Sequence, residues 1–232
     1  QVERYLDALG NCWQFQWNDE RQLLGATDPL GGQWQYFYDE SGNLAQTIDP
    51  LGRSESTLWL EHWSLPREEC DSAGNRWRYR YDQRGNCISE TDPLHQVTRY
   101  QYDERGQVIV ITDAAGRQRH QRWNTRGLLV EDIDCSGYRT RYEYDRHDFP
   151  CRITDADGES TTYTYDVLGQ MIEQVEPDGR THRYSYTVAG LLSAYVDPLG
   201  HQTLYHYDRH GQLTEQRDPL GRSVRLGYDL FA

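Results

Sequence analysis

Residues 97–106 of the chain read Val-Thr-Arg-Tyr-Gln-Tyr-Asp-Glu-Arg-Gly, and this pattern decides the fold. Tyr100 and Tyr102 are two positions apart, so both side chains face the same side of an extended strand. Asp103 and Gly106 are the residue types that a type I turn favours at its first and fourth positions. The stretch therefore predicts a strand that ends in a tight corner.

The same pattern recurs along the whole chain with a period of 21 residues, and 22 residues in one unit. The first corner of each unit starts at residue 7, 28, 49, 71, 92, 113, 134, 155, 176, 197 or 218, and a second corner usually follows eleven positions later. Proline often stands second in the first corner, where it presets φ. The clearest corner residues are Asp28, Gly31, Asp39, Gly42, Asp103, Gly106, Asp197, Gly200, Asp208 and Gly211.

Segments of seven and six residues separate the corners, which is the usual length of a strand and too short for a stable helix. Each unit is therefore one hairpin, and a lone hairpin needs neighbours for stability. We predict an all-β fold, a long antiparallel sheet of about 20 strands that curls, and a single domain over residues 1–232. Paired tyrosines should form an aromatic stripe on one face, stacked from unit to unit: Tyr36, Tyr38, Tyr79, Tyr81, Tyr100, Tyr102, Tyr142, Tyr144, Tyr163 and Tyr165.

Two places break the pattern. The unit from Asp49 to Cys70 is one residue longer and lacks its second corner, which indicates a bulge or an altered turn. Its tryptophans Trp59 and Trp63 either fill space inside the curl or form a candidate partner patch. Near Pro150, a proline occupies a strand position, which predicts an edge or a locally unpaired strand.

The composition excludes several classes of protein. The hydrophobic fraction is 36% but includes 18 tyrosines, and the mean hydropathy is −0.93, so we expect neither a thick aliphatic core nor a membrane span. Five cysteines without C-x-x-C spacing are expected to be free thiols. No signal peptide follows the first residue, so we expect any export to be directed from outside this stretch.

The charge of −13 comes mostly from the corners. Seventeen of the 37 acidic residues, Asp229 among them, open predicted turns, and all 24 basic residues are arginine. We therefore expect neither nucleic-acid binding nor a row of calcium sites. His201, His206 and His210 should not converge on a metal, and no nucleophile motif occurs, so we expect no enzyme activity and no cofactor.

The 21-residue unit, with Tyr-x-Tyr-Asp followed by Asp-Pro-Leu-Gly, strongly resembles the YD repeat of Rhs proteins. That family includes bacterial polymorphic toxins, the C component of insecticidal toxin complexes and, more distantly, teneurins. The resemblance implies a sheet that spirals into a hollow shell around a C-terminal effector. The self-cleaving core of such shells carries Asp-Pro-x-Gly-Leu, but the residue after Asp-Pro-Leu-Gly is never leucine here, so no catalytic aspartate is carried over.

We therefore expect a non-enzymatic wall segment of a larger Rhs-type shell. Its partners would be the toxin or effector polypeptide of the same full-length protein, the remaining shell segments and components of the secretion machinery. The resemblance implies bacterial cytoplasm before export, then secretion or delivery to a target cell. Exposed edge strands would favour edge-to-edge self-association. The alternative is an extracellular adhesion or carbohydrate-binding module, in which tyrosines or Trp59 and Trp63 stack on sugars.

Overall fold

The computed structural model describes residues 2–228, and every regular element among them is a β-strand. Asp229, the last predicted corner aspartate, lies outside these residues. The chain divides into two compact units, residues 1–118 and 119–232, each of which we describe by itself. No described helix could cross a membrane.

The first unit carries eleven strands. They are β1 (Arg4–Leu6), β2 (Cys12–Trp17), β3 (Leu23–Thr27), β4 (Gln33–Tyr38), β5 (Leu44–Ile48), β6 (Ser54–Leu60), β7 (Trp63–Cys70), β8 (Arg76–Tyr81), β9 (Cys87–Thr91), β10 (Val97–Tyr102) and β11 (Val108–Thr112).

The second unit carries the next eleven strands. The first of these strands begins at Gln118, which is the last residue of the first unit. They are β12 (Gln118–Trp123), β13 (Leu129–Ile133), β14 (Arg139–Tyr144), β15 (Pro150–Thr154), β16 (Ser160–Tyr165), β17 (Met171–Val175), β18 (Thr181–Tyr186), β19 (Leu192–Val196), β20 (Gln202–Tyr207), β21 (Leu213–Arg217) and β22 (Ser223–Arg225).

Within each unit every strand pairs antiparallel with its neighbours in sequence. Successive turns of such a meander lie at opposite ends of the strands. All first corners of a unit therefore lie at one end of its strands, and all second corners lie at the other end. The prediction of an all-β antiparallel fold with about 20 strands is confirmed.

Apart from the two-residue turn between β6 and β7, the corners in the described part of the chain share one geometry. At Asp103 the carbonyl accepts from the Gly106 N–H at 3.1 Å, and the Asp103 N–H donates to the Gln107 carbonyl at 2.9 Å. The fourth residue has a positive φ in each Asp-x-x-G corner, as in Gly106 at 81°. This left-handed conformation is open to glycine without a Cβ penalty. Three corners hold another residue there: Arg21, His95 and Asp148, with φ of 67°, 63° and 68°.

The two kinds of hairpin differ in register. Hairpins closed by a first corner pair without a shift, as at Arg99↔Ser89. Hairpins closed by a second corner carry a one-residue shift, as between Gln101↔Val110 and Tyr102↔Val108. The short strand therefore holds one extra residue in every repeat. A bulge of this kind bends its strand and increases the local twist.

The irregular repeat has two shifts, one of one residue before Trp59 and one of two residues after it, and the predicted bulge there is confirmed. Of the two alternatives predicted near Pro150, the edge strand is wrong, whereas a local loss of pairing is found, because β15 pairs with β16 only from Arg152 onward. Strand β15 pairs with β14 on one side and β16 on the other. Proline is tolerated because it is the first residue of the strand and lies beside the register shift, where no ladder N–H is required.

The sheet has no aliphatic core among the described residues. Ala26 and Ala194, each 7% exposed, are the buried hydrophobic residues, and no large side chain is fully buried. Burial instead alternates along the long strands, as in β4 and β14. The face that carries the tyrosines is half-buried, and the opposite face is exposed.

Candidate functional site

The recurring site of this chain is a ladder of side-chain hydrogen bonds to the backbone. A tyrosine or tryptophan at or near the end of the longer strand of each repeat donates to the carbonyl of the residue fifteen positions earlier. We call this set the tyrosine ladder. Its described members are Trp17–Val2, Tyr38–Leu23, Trp59–Leu44, Tyr81–Pro66, Tyr102–Cys87, Tyr144–Leu129, Tyr165–Pro150, Tyr186–Met171, Tyr207–Leu192 and Tyr228–Leu213, with distances of 2.6–3.1 Å.

Each accepting carbonyl lies beyond the last residue that is paired through the backbone in its hairpin. In the β9–β10 hairpin the last pair is Arg99↔Ser89, and the accepting carbonyl of Cys87 lies two residues further along β9. Ile88, the extra residue of the bulge, follows Cys87 directly. The Tyr102 hydroxyl therefore supplies a donor at the place where the strands separate, and satisfies a carbonyl that would cost free energy if buried alone.

The electrostatics keep these hydroxyls in their donor form. Burial raises the pKa of the Tyr81, Tyr102, Tyr144 and Tyr165 hydroxyls above the ordinary value of 10.0. Neighbouring groups such as the Cys87 thiol raise the pKa of Tyr102 further. These four phenols are thus neutral at physiological pH, and none of the four is prepared to act as a base.

The first tyrosine of each pair is bonded differently. Tyr79 donates to Glu69 at 2.7 Å and Tyr100 to Glu90 at 3.3 Å, whereas Tyr36, Tyr142 and Tyr163 have no hydrogen-bonded side-chain partner among residues 2–228. All five are on the half-buried face. Among the described residues of each unit, the second tyrosine of a pair bonds to a backbone carbonyl and does not stack on the tyrosine of the next repeat. The ring contacts there are Trp13–Trp34, Phe149–Tyr165, His182–Tyr195 and Tyr184–Tyr195.

The two tryptophans of the irregular repeat have different environments. Trp59 occupies a ladder position, and its indole N–H donates to the Leu44 carbonyl at 2.8 Å. Trp63 begins β7, is 39% exposed, and lies about 3.5 Å from where a side chain on Gly85 would begin. They do not form a ring contact with each other.

The aspartates at the corners are occupied by their own turns. One carboxylate oxygen of Asp28, Asp39, Asp103, Asp197 or Asp208 accepts two backbone N–H groups, from the residues two and four positions later. At Asp39 an additional hydrogen bond from the Asn43 side chain lowers the pKa of the carboxyl. These oxygens therefore stabilise the turn. The paired positions Gly31, Gly42, Gly106, Gly200 and Gly211 all have positive φ.

The described side chains form no cluster of three metal ligands. His201 bonds to Asp197 in its own corner, His210 accepts from Arg209, and His206 lies in β20 between them. All five cysteines are free thiols, as predicted. Five concavities along the sheet are shallow and open, about 320–520 Å³ each. One is lined by Cys70 with Glu69 and Asp71, and another by Ser193 with His206 and Asp208. In the described part of the chain no hydrogen bond joins either nucleophile to one of these side-chain bases.

This geometry has relatives among known structures. The crystal structure of TcdB2-TccC3-TEV is similar over 91% of this chain, with a TM-score of 0.61 and 14% identity. The structure of a Photorhabdus luminescens Tc holotoxin pore is similar over 96% of this chain, with a TM-score of 0.55 and 12% identity. This chain spans 15% and 18% of those two chains. The comparison with curated proteins gave no match.

Sequence comparison identifies the repeat directly. The model of the RHS Repeat family matches residues 19–54, 65–95, 81–118, 123–159, 151–181, 186–223 and 207–231. These matches cover most of the chain and contain both the corners and most of the tyrosine ladder. The family resemblance read from the tyrosine and aspartate pattern is thereby confirmed, and the chain belongs to the RHS repeat family.

Proposed function

We propose that this chain is a non-enzymatic wall segment of an Rhs-type shell that encloses a C-terminal toxin or effector polypeptide before delivery to a target cell. The observation that carries the proposal is the tyrosine ladder. It stabilises the sheet once per repeat, although the described residues provide no aliphatic core. A wall one sheet thick leaves one face for the cargo and one for solvent.

The mechanism is physical confinement. The wall separates the effector from the producing cell, and no chemistry on the effector is required. Partners under this proposal are the effector polypeptide, the remaining shell segments and components of the secretion machinery. The effector would be made in the bacterial cytoplasm and later secreted or delivered. The similarity to Tc toxin structures supports the shell; the cargo and the route are part of the proposal.

The corner aspartates and glycines and the tyrosine stripe have structural roles under this proposal. Each contributes to the wall through its own turn or hydrogen bond. Trp63, with its partly exposed ring, remains the better candidate of the two tryptophans for contact with a partner. Trp59 has a place in the ladder that already accounts for it.

The test is limited proteolysis of the full-length protein that contains this array. In the native protein we expect the region C-terminal to the array to resist the protease. In the variant that combines Tyr81→Phe and Tyr102→Phe, which opens the wall, we expect the same protease to digest that region rapidly. Mass spectrometry of the early fragments reports which region is cut first. Rapid cleavage of the C-terminal region in the native protein, while the array stays intact, would overturn the proposal.

A further inference from the structure

The tyrosine face of the first unit carries three glutamates between β6 and β9. Glu69 pairs with Trp77 and Glu90 pairs with Tyr79 across the backbone ladder, so these side chains share that face. Glu55 lies an even number of positions before the ladder residue of β6 and is on the same face. None of the three glutamates forms an ion pair in the described part of the chain. This stretch of the face is therefore negatively charged.

The cations of the same strands are on the other face. Arg76, Arg78 and Arg80 alternate with the aromatic residues of β8, and the first two bind Glu68 on the face opposite the tyrosines. Arg67, the extra residue of the β7 bulge, lies further from the first corners than the three glutamates do. The sheet is thus polarised here, and the strands that carry the three glutamates do not neutralise them.

Shallow concavities follow this stretch of the face, and each contains at least one of the glutamates. The first, of about 340 Å³, has Trp34 and Glu55 in its lining. The second, of about 330 Å³, is lined by Glu55, Glu69 and Trp77, and the third, of about 350 Å³, by Glu90. We call these five residues the acidic trough. Concave surfaces that combine aromatic rings with a few polar groups are typical of binding sites.

The corner side chains that border the acidic trough are occupied by their own turns. The Asp71 carboxylate accepts two backbone N–H groups of its turn at 2.9 Å. The guanidinium groups of Arg53 and Arg117 pair with the aspartates of their own corners at 2.6 and 2.7 Å. The three glutamates and the two indoles therefore determine which ligand the trough accepts.

These groups favour a ligand that donates hydrogen bonds and is positively charged. An ionised glutamate only accepts hydrogen bonds. The hydroxyls of Tyr79 and Tyr100 each donate to one oxygen of Glu69 and Glu90, at 2.7 and 3.3 Å, and the second oxygen of each carboxylate can accept from a ligand. The face of an indole attracts a cation. A guanidinium group has five N–H donors and no acceptor, and it stacks on aromatic rings. Charge and hydrogen bonding both favour arginine side chains.

The trough crosses several strands, so its ligand is extended. Glu69 on β7 and Glu90 on β9 are two strands apart, which corresponds to roughly 9.6 Å at about 4.8 Å between strands. Three residues of an extended chain span about 10 Å. We propose that the acidic trough binds an extended polypeptide segment with arginine at every third position, whose guanidinium groups contact the glutamates and the indoles.

This inference deepens the proposed function and rests on it only for the origin of the segment, which would be the enclosed effector polypeptide. The tyrosine face would then be the face toward the cargo. Binding of an arginine peptide to this chain does not require a closed shell. It can therefore fail while the proteolysis test succeeds, and the reverse is equally possible.

The test measures binding of a fluorescein-labelled peptide to the whole chain by fluorescence anisotropy at low ionic strength. The peptide has arginine at every third position with Gly-Ser between, and its neutral counterpart has citrulline in place of arginine. The trough variant combines Glu55→Gln, Glu69→Gln and Glu90→Gln, in which glutamine oxygens can still accept from Tyr79 and Tyr100. We expect it to weaken binding of the arginine peptide at least about fivefold.

The matched control removes the same charge from the second-corner end of the same unit. It combines Glu40→Gln, Glu61→Gln and Glu104→Gln, which are exposed and form no ion pair in the described part of the chain. We expect this control to change binding less than about twofold. Equal losses in the two triple variants would assign the binding to net charge and overturn the proposal. Equal binding of the citrulline peptide would overturn it as well.

A further variant tests the indole. Trp77→Thr introduces the residue that Thr98 already provides at the equivalent position of the next repeat, so the fold should be retained, which circular dichroism checks. We expect this folded variant to bind the arginine peptide at least about threefold more weakly. Unchanged binding would overturn the contact between the guanidinium group and the indole.

Discussion

The hydroxyl of Tyr144 donates a 2.8 Å hydrogen bond to the backbone carbonyl of Leu129, fifteen residues earlier in the chain. Leu129 is the residue that pairs with Trp123 beyond the register shift of the preceding hairpin, so the bond lies beside a bulge. The same relation recurs at Tyr165 and Tyr186 in this unit. It links each hairpin to the one before it with a side chain, at a position where the backbone ladder has ended.

The first prediction compares two tyrosines of strand β14. Tyr144→Phe removes the donor to the Leu129 carbonyl, whereas Tyr142→Phe removes a hydroxyl that has no hydrogen-bond partner among the described residues. We expect Tyr144→Phe to lower the free energy of unfolding by about 0.5–1.5 kcal/mol. Tyr142→Phe should change it by less than about 0.5 kcal/mol. Urea unfolding followed by tyrosine and tryptophan fluorescence measures both, and equal effects would contradict the ladder.

The ladder position could have been recognised from sequence alone. The second aromatic position of each 21-residue repeat holds tyrosine or tryptophan and never phenylalanine. Tryptophan stands there at Trp17, Trp59 and Trp123. Both permitted residues have a polar hydrogen to donate. The first position of the pair also accepts Phe15 and Thr57, so it has no such requirement. The acceptor is a backbone carbonyl, which leaves no mark in the sequence, so its identity required the structure.

The second prediction concerns the three corners that lack glycine. His95 has φ of 63°, where a side chain is strained. His95→Gly should raise the free energy of unfolding by about 0.5–1 kcal/mol, because relief of that strain exceeds the added entropy of the unfolded chain. The control is Leu94→Gly in the same corner, at a position with ordinary backbone angles. It should lower stability by about 0.5–1 kcal/mol. Thermal unfolding monitored by circular dichroism distinguishes the opposite signs.

The third prediction concerns acid. The Asp82 carboxylate accepts a hydrogen bond from the Asn86 side chain at 2.9 Å, and this bond lowers the pKa of Asp82 below its ordinary 3.8. A carboxyl with a lowered folded-state pKa contributes stability above its ordinary pKa and loses it as pH falls through the folded-state value. We expect the stability advantage of the native chain over Asp82→Asn to be constant near neutral pH and to shrink below about pH 4.

The matched control for that prediction is Asp157→Asn, since this corner-tip carboxylate accepts no hydrogen bond in the described part of the chain. Urea midpoints of the native chain and of both variants are measured from about pH 6 to about pH 3. The expectation for Asp82 fails if its variant differs from the native chain by the same amount at every pH.

Corners and strands were predictable because they depend on residues close in sequence. Asp103 and Gly106 determine their turn by themselves, and the alternation of Tyr100 and Tyr102 defines a face. The register shift was not predictable in this way, because it depends on how two strands accommodate one extra residue. Pro150 shows the consequence: read in isolation it indicates an edge strand, yet beside a bulge it fits within a strand paired on both sides.

The last prediction separates backbone strain from packing in two glycines of the second unit. Gly158 and Gly169 have φ of 85° and 79°. A Cβ at Gly158 would meet nothing within 4 Å, whereas one at Gly169 would lie 2.5 Å from the ring of Phe149, which stacks on Tyr165 at 5.0 Å. Both alanine variants incur the cost of a left-handed residue, roughly 1 kcal/mol. Gly169→Ala must also displace a packed ring, so we expect a total loss of about 2–3 kcal/mol. Hydrogen exchange of the β15–β17 amides should show the larger loss of protection for Gly169→Ala, and equal losses in the two variants would mean that the Phe149 ring moves aside freely.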